Sequence, residues 1–426
     1  MKNSGVQWIG DIPKGWDIDT IGNLYTLRNE KVSDKDYPPL SVSKMGVVPQ
    51  LETAAKTDDG DNRKLVKVGD FAINSRSDRR GSCGISAYDG SVSLINTVIT
   101  PREQMNPRFY SWLFRSELFA DEFYKWGHGI VDDLWTTRWQ EMKRISIVAP
   151  SLEEQQKIAS FLDRKCCEID EMIALQEKIV EELKAYKQSV ITEAVTKGLN
   201  PDVPMKDSGI EWIGEIPEHW EAHPFKAFYK TTKGLNITKD NLVESGIPVI
   251  SYGQIHSKQN TGTSVSEELI RYVPADYIDS NPECLSKKYD IFFADTSEDR
   301  EGAGNIALID VETPIFAGYH TIMAHPSDRV KSKCIAYLIK TDAWRCQLRC
   351  KVQGVKLFSI SQKFVNQTSI IVPPMSEQIQ ISENLDAKCT EIDNLISIKL
   401  SKIDSLKEYK KSIIYEYVTG KKEVIE

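Results

Sequence analysis

The chain has 426 residues, 40% of them hydrophobic and 9% aromatic, and a net charge of −8. That length suits two or more domains with ordinary packed cores. The charge excludes a polybasic nucleic-acid binder: residues 1–150 balance to zero and the later segments are acidic. Any DNA contact must therefore come from a few placed side chains, or be shared with a partner.

In chain order, the first marked element is Ser4-Gly5-Val6-Gln7-Trp8-Ile9-Gly10-Asp11-Ile12-Pro13-Lys14-Gly15-Trp16. Pro39-Leu40 then leads a strand into the loop Ser41-Val42-Ser43-Lys44-Met45. The run Val66-Lys67-Val68-Gly69-Asp70-Phe71-Ala72-Ile73 is read as one strand. Asn74-Ser75-Arg76-Ser77-Asp78-Arg79-Arg80-Gly81 follows it as a loop. Arg108 to Trp126 is read as a helix, and Gly127-His128-Gly129 with Arg138 as a further loop. From Glu153 to about Lys197 there is no proline or glycine. Leu162, Cys166, Ile169, Ile173, Val180, Leu183 and Val190 advance there by alternating steps of three and four, a coiled-coil seam. About 45 residues at 1.5 Å each make a rod of roughly 65 Å. Gly198, Pro201 and Pro204 end it.

The chain then repeats itself. Ser208-Gly209-Ile210-Glu211-Trp212-Ile213-Gly214-Glu215-Ile216-Pro217-Glu218-His219-Trp220 restates the opening at an offset of 204. Val148-Ala149-Pro150-Ser151-Leu152-Glu153-Glu154-Gln155 recurs as Ile371-Val372-Pro373-Pro374-Met375-Ser376-Glu377-Gln378. From there to Val418-Thr419 the match is ungapped at an offset of 223. Leu385, Cys389, Ile392, Ile396, Ile403, Leu406 and Ile413 form the second seam. Gln176 and Lys187 interrupt the first seam, and Lys399 and Lys410 interrupt the second at the same steps; such polar residues commonly fix register and partner, and a helical hairpin with solvated gaps accounts for them equally. The ends repeat while the middles diverge, as in two modules with a common frame and different targets. Tyr289-Asp290-Ile291-Phe292-Phe293-Ala294 is the counterpart of the first strand, and Lys333 to Val352 of the first helix. The fold class is α+β, with boundaries at 1–150, 151–199, 200–374 and 375–426.

Two variable α+β modules, each trailed by a repeated long helix, resemble the specificity subunit of type I restriction-modification systems. The doubled Trp-Ile-Gly-Asp/Glu-Ile-Pro-x-x-Trp and Pro-x-x-x-Glu-Gln segments carry the resemblance over essentially the whole chain. It implies two target recognition domains, each reading half of a bipartite double-stranded DNA site. The long helices would pack antiparallel and dock two modification (methyltransferase) subunits. S-adenosylmethionine would belong to those subunits, and ATP, Mg and cleavage to motor-nuclease subunits. No cofactor is expected on this chain.

Base-contacting residues must be argued from chemistry. Arginine pairs bidentately with guanine or grips phosphate. The candidates in the first loop are Ser75, Arg76, Arg79 and Arg80, against Thr296 and Arg300 in Asp295-Thr296-Ser297-Glu298-Asp299-Arg300-Glu301-Gly302. The repeated pairs Asp78-Arg79 and Asp299-Arg300 also read as structural, and an ordinary solvated turn is as good an account of the loop. Lys44, Tyr252, Gln254 and Lys258 come from the second loop pair, with Gln254 suited to adenine and the lysines to phosphate. His128, Arg138 and Lys356 come from the third, beside Gln353-Gly354-Val355; plain surface turns account equally for both pairs. The motif tryptophans are expected to pack each module against the rods.

Two other classes remain open. A methyltransferase is faintly suggested by Asn106-Pro107-Arg108-Phe109, but no glycine-rich cofactor loop or Gly-x-x-x-x-Gly-Lys-Ser/Thr loop is present. A pure coiled-coil adaptor would not need two different globular heads. The eight cysteines show no framework spacing and are read as reduced thiols; Cys346 and Cys350 lack the second ligand pair of a metal site. Met1-Lys2-Asn3-Ser4-Gly5 has no apolar signal core, and no run nears the roughly 18 apolar residues of a membrane span. A cytoplasmic protein with no membrane partner is expected.

Overall fold

The computed structural model describes residues 1–52, 60–102, 105–129, 135–352 and 357–424. The chain divides into two units, Met1–Lys178 with Lys399–Glu426, and Ile179–Ile398.

In the first unit a four-stranded antiparallel sheet runs in the order Cys83–Ile85, Phe71–Asn74, Asn96–Pro101, Tyr25–Leu27. Side chains alternate across a strand, and here both faces are buried. Phe71, Ile73 and Ile99 enter the cluster formed with the two helices that follow. Ala72 and Val98 enter a smaller one with Leu40, Val47, Val66 and Val92. The second unit repeats the plan in the order Tyr229–Lys233, Thr321–Pro326, Ile291–Ala294, Ile306–Leu308. Ile291, Phe293, Ile322 and Ala324 face the helical side, and Phe292, Ala294 and Met323 the other. Each fully buried aromatic contributes about 1.5–3 kcal/mol of transfer free energy.

Three sequence expectations are corrected locally. The run from Val66 to Ile73 is not one strand. Arg63–Val66 and Phe71–Asn74 belong to different sheets, separated by a turn in which Gly69 has φ +89° and Asp70 accepts the Lys67 amide at 2.8 Å. The second unit has the same turn with Tyr289 at φ +75° and Asp290 accepting the Lys287 amide at 2.7 Å. Each single helix is in fact two. Pro107–Phe114 stops before Glu117–Lys125 because the Ser116 hydroxyl takes the Phe119 amide at 3.3 Å. Ser332–Ile339 and Asp342–Arg349 part at Thr341, which takes the Trp344 amide at 3.2 Å. Both are N-caps that start a new helix.

The long helices are Leu152–Lys197 and Met375–Val418. Leu162, Cys166, Ile169 and Val180 are buried on the first, and Leu385, Cys389, Ile392, Ile403 and Ile413 on the second. Within the first unit their pairing is antiparallel: Asp170 meets Lys410 at 2.6 Å, Glu177 meets Lys407, and the Phe161 ring packs on Tyr417. Within the second unit Lys187 meets Asp393 at 2.6 Å. Shifted by 223 residues, Asp170–Lys410 becomes Asp393–Lys187. Lys187 and Lys410, at equivalent steps of the two seams, thus make one ion pair used twice, while Gln176 is buried with no partner for Oε1.

The two repeated motifs meet each other in both units. The Trp16 indole donates to Glu154 at 2.8 Å, and that of Trp220 to Glu377 at 2.9 Å. Each ring also lies against the glycine that ends the other long helix, Gly420 for Trp16 and Gly198 for Trp220, both at positive φ. Gln155 and Gln378 tie the start of each long helix to helices Pro107–Phe114 and Ser332–Ile339 by accepting the amides of their N-cap residues Asn106 and Lys331. One aspartate per helix completes the joint. Asp163 forms an ion pair with Arg108 and accepts the Trp112 indole; Asp386 forms an ion pair with Lys333 and accepts the Tyr337 hydroxyl. The expected packing on the rods holds for Trp16 and Trp220, both buried. It fails for Trp212, which is exposed, and Trp8 packs instead on Phe119.

All eight cysteines are free. Burial pushes the thiols of Cys83 and Cys334 up to about 12 and that of Cys166 to about 11, so they stay protonated. No helix is long and apolar enough to cross a membrane, and no group of three metal-type ligands occurs, among the described residues.

Candidate nucleic-acid interface

In each unit the first candidate loop leaves the end of a central sheet strand, Phe71–Asn74 or Ile291–Ala294, and is held by the same backbone frame. The Ser75 amide donates to Ile95 (3.2 Å) and its carbonyl accepts from Thr137 (3.0 Å). The Asp295 amide donates to His320 (3.0 Å) and its carbonyl accepts from Ile360 (2.8 Å). Arg76 bridges Thr136, which bridges His128 in turn; Thr296-Ser297 pairs with Phe358-Ser359. In the first unit the first and third loops are therefore one structure, a link that local sequence does not show.

Side chains on this frame differ. In the first unit Ser75 is buried, with its hydroxyl 2.9 Å from that of Thr97, so it holds the loop from inside. Arg76 is half-buried and meets no carboxylate among the described residues. Arg79 pairs with its neighbour Asp78 at 3.4 Å. Arg80 pairs with Asp121 and reaches the Glu117 carbonyl, which ties the loop to helix Glu117–Lys125. Lys44 sits exposed at the tip between strands Leu40–Ser43 and Gly46–Pro49. It lines a concavity of about 370 Å³ with Arg80, Arg115, Lys410 and Glu117. Two of these four cations are already paired, Arg80 with Asp121 and Lys410 with Asp170, which leaves Lys44 and Arg115 without an ion-pair partner among the described residues. His128 is exposed, 3.8 Å from Glu141, and Arg138 is exposed ahead of helix Trp139–Met142.

In the second unit Gln254 is engaged: its side-chain oxygen accepts the Ser251 amide at 3.1 Å and caps helix Tyr252–Ile255. Lys258 is exposed. The Thr296 hydroxyl donates to Asp295 at 2.7 Å. The Asp-Arg pair does not repeat as a pair, because Asp299 takes the Gly302 amide at 2.5 Å and Arg300 forms no ion pair among the described residues. Lys356, with Gln353, Gly354 and Val355, lies outside the described residues.

Residues without a sequence signal complete this end. Arg345 donates to Asn305 and to the carbonyls of Glu301 and Ala303. Burial pulls its guanidinium below the ordinary range, and the adjacent Arg349 adds to this. Asn305 in turn meets His256 Nδ1 at 2.9 Å, while His256 Nε2 lies 2.8 Å from the Thr296 carbonyl. A carbonyl only accepts, so Nε2 carries the proton and Nδ1 accepts from Asn305. His256 is thereby locked inward. Such contacts join residues 40 to 49 positions apart, which local patterning does not report.

A family model described as the type I restriction modification DNA specificity domain matches residues 217–420. The chain is 24% identical over 424 residues to the type I restriction enzyme MjaVIII specificity subunit of Methanocaldococcus jannaschii, covering 96% of this chain and 93% of that protein. It is 22% identical over 430 residues to the type I restriction enzyme StySPI specificity subunit of Salmonella potsdam, covering 93% and 88%. The fold matches a chain from a structure describing complex assembly and conformational transition of the type I R-M system, with TM-score 0.72, 15% identity, and coverage of 96% and 98%. It also matches the HsdS subunit from Thermoanaerobacter tengcongensis, with TM-score 0.56, 16% identity, and coverage of 96% and 98%.

Proposed function

Because the chain belongs to the type I restriction-modification specificity subunits, we propose that each unit reads one half of a split DNA site and that two copies of one methyltransferase dock on the long helices. Its function is sequence-specific DNA recognition that directs methylation and restriction by partner subunits. The chain itself performs no chemistry; S-adenosylmethionine, ATP and Mg belong to the partners. One observation supports the split reading above all. The same main-chain bonds hold Ser75 and Ile95 in one unit and Asp295 and His320 in the other. A fixed frame with exchanged side chains is what two readers of different sequences require.

The test is methylation of a random duplex library by the chain co-purified with its methyltransferase. Two short half-sites at a fixed spacing are expected. A single continuous motif, or methyl transfer by the chain alone, would overturn the proposal. In the same assay Arg76→Ala is expected to relax one position of one half-site by about tenfold or more, the scale of one lost bidentate contact.

Docking of two copies is supported by apolar side chains that the helices leave exposed in duplicate. Met172, Leu175 and Tyr409 are exposed in the first unit; Leu395, Ile398 and Tyr186 occupy the positions shifted by 223 in the second. Leu175 and Ile398 are 55% and 62% exposed, so neither packs its own unit. Solvated helices rarely keep such a matched set unless it is covered by a partner. Leu175→Asp is expected to leave one methyltransferase copy on the complex, and Leu175→Asp with Ile398→Asp none. Native mass spectrometry checks this; two copies retained by the double variant would exclude this docking surface.

A further inference from the structure

The interface-facing end of the second unit holds a side chain that neither the frame nor the core needs. His320 has φ +56°, a left-handed backbone that a non-glycine residue rarely adopts, and its side chain is 57% exposed. Its Nδ1 lies 3.1 Å from Asp295 Oδ1 and 3.3 Å from the Thr296 hydroxyl. That hydroxyl itself donates to Asp295 at 2.7 Å. Two acceptor oxygens therefore face Nδ1, which carries the proton. Nε2 meets no partner among the described residues and is left for the solvent side. The rings of Tyr252 and Tyr319 stand edge-on to the imidazole, at 5.3 Å and 6.2 Å, and limit its swing.

Each feature is specific to this unit. The position equivalent to His320 on the frame is Ile95, and that equivalent to Asp295 is Ser75, whose hydroxyl turns inward. The neighbouring His256 has both ring nitrogens engaged within the unit. An exposed, carboxylate-oriented imidazole fills no core, and unlike Tyr289, whose left-handed backbone serves a turn shared by both units, His320 has no counterpart at positive φ in the first unit.

We infer that His320 is a specificity-determining residue of the second unit, oriented by Asp295 and Thr296 so that Nε2 hydrogen-bonds one base edge of that unit's half-site. This rests on the reading of the chain as a two-part DNA reader. Asp295 is a positioning residue, acting through the imidazole, and Tyr252 and Tyr319 fix the ring plane.

The experiment is the library assay with the complex, comparing wild type, His320→Ala, His320→Gln and Asp295→Asn. His320→Ala is expected to lower discrimination at one position by about tenfold or more, in the half-site that Arg76→Ala leaves intact. Asp295→Asn is expected to weaken the same position by less, and His320→Gln to retain or change the preferred base there. Unchanged discrimination at every position in His320→Ala and His320→Gln would overturn the inference while leaving the two-part reading standing. Equal loss from both half-sites would also overturn it, since that reports a fold defect. A wild-type complex with no sequence preference would remove the reading of the chain itself.

Discussion

Trp220→Ala is expected to destabilise the second unit by about 3–5 kcal/mol, the cost of emptying a fully buried large aromatic site. The ring is 0% exposed, its indole nitrogen donates to Glu377 at 2.9 Å, and its edge lies against the α-carbon of Gly198. The substitution leaves a cavity where three repeated segments meet: the opening motif, the start of one long helix and the end of the other. Glu377 keeps His219 at 2.7 Å, so its carboxylate is not stranded. The loss is therefore mostly packing, and Glu377→Gln, which still accepts from the indole, should cost only about 0.5–1.5 kcal/mol. For a unit of this size each kcal/mol moves the melting temperature by roughly 2–4 °C. A fall of roughly 6–20 °C is expected, with hydrogen-exchange protection lost first between residues 200 and 398. Trp16→Ala should do the same to the first unit, where the indole donates to Glu154. A melting temperature unchanged within error in both variants would mean that these tryptophans are not what joins module to helix.

The duplication, the helices and their seams were legible in the sequence because they are written in short spacings. A step of three or four residues, or a motif restated at a constant offset, is visible without knowing what touches what. The end of the first long helix was legible for the same reason, since it stops at Lys197, just before Gly198 and Pro201. What was not legible depends on distant partners. Arg80 reads as a candidate DNA contact in the sequence, yet helix Glu117–Lys125 brings Asp121 beside it. Gln254 looked like a base reader, yet its side-chain oxygen caps its own helix. Ser116 and Thr341 sit inside apolar periodic runs, and only their bonds to Phe119 and Trp344 show that the helix restarts there. His320 had no signal, because a left-handed backbone at a non-glycine residue leaves no trace in composition. Its importance emerges only when its carbonyl is found in the same bond as that of Ile95.

Inserting four helix-forming residues after Gln176, and four more after Lys399, is expected to widen the unread gap in the DNA target by one or two base pairs while both half-sites stay the same. Under the proposed function the long helices act as the ruler for that gap. Four residues add about 6 Å to each helix, and base pairs rise about 3.4 Å. The insertion also turns each downstream segment by about 40°, near the 34–36° by which DNA turns per pair. Both helices must be lengthened, because the ion pairs flank the insertion points. Asp170 and Lys187 lie on the first helix, and their partners Lys410 and Asp393 are equally far apart on the second. Matched insertions keep both pairs possible. An insertion in the first helix alone puts one pair out of register or forces a bulge, so a smaller change in the gap and a lower melting temperature are expected from it. The polar Gln176 step tolerates the change in seam phase better than a buried isoleucine would, since its Oε1 has no partner to lose. The measurement is the methylated motif of each insertion mutant, read from a random library or genome-wide. A fully active double mutant with the original gap would show that the helices do not set the spacing. Altered half-site bases would show that the loops at Ser75 and Asp295 are not independent of the helices that carry them.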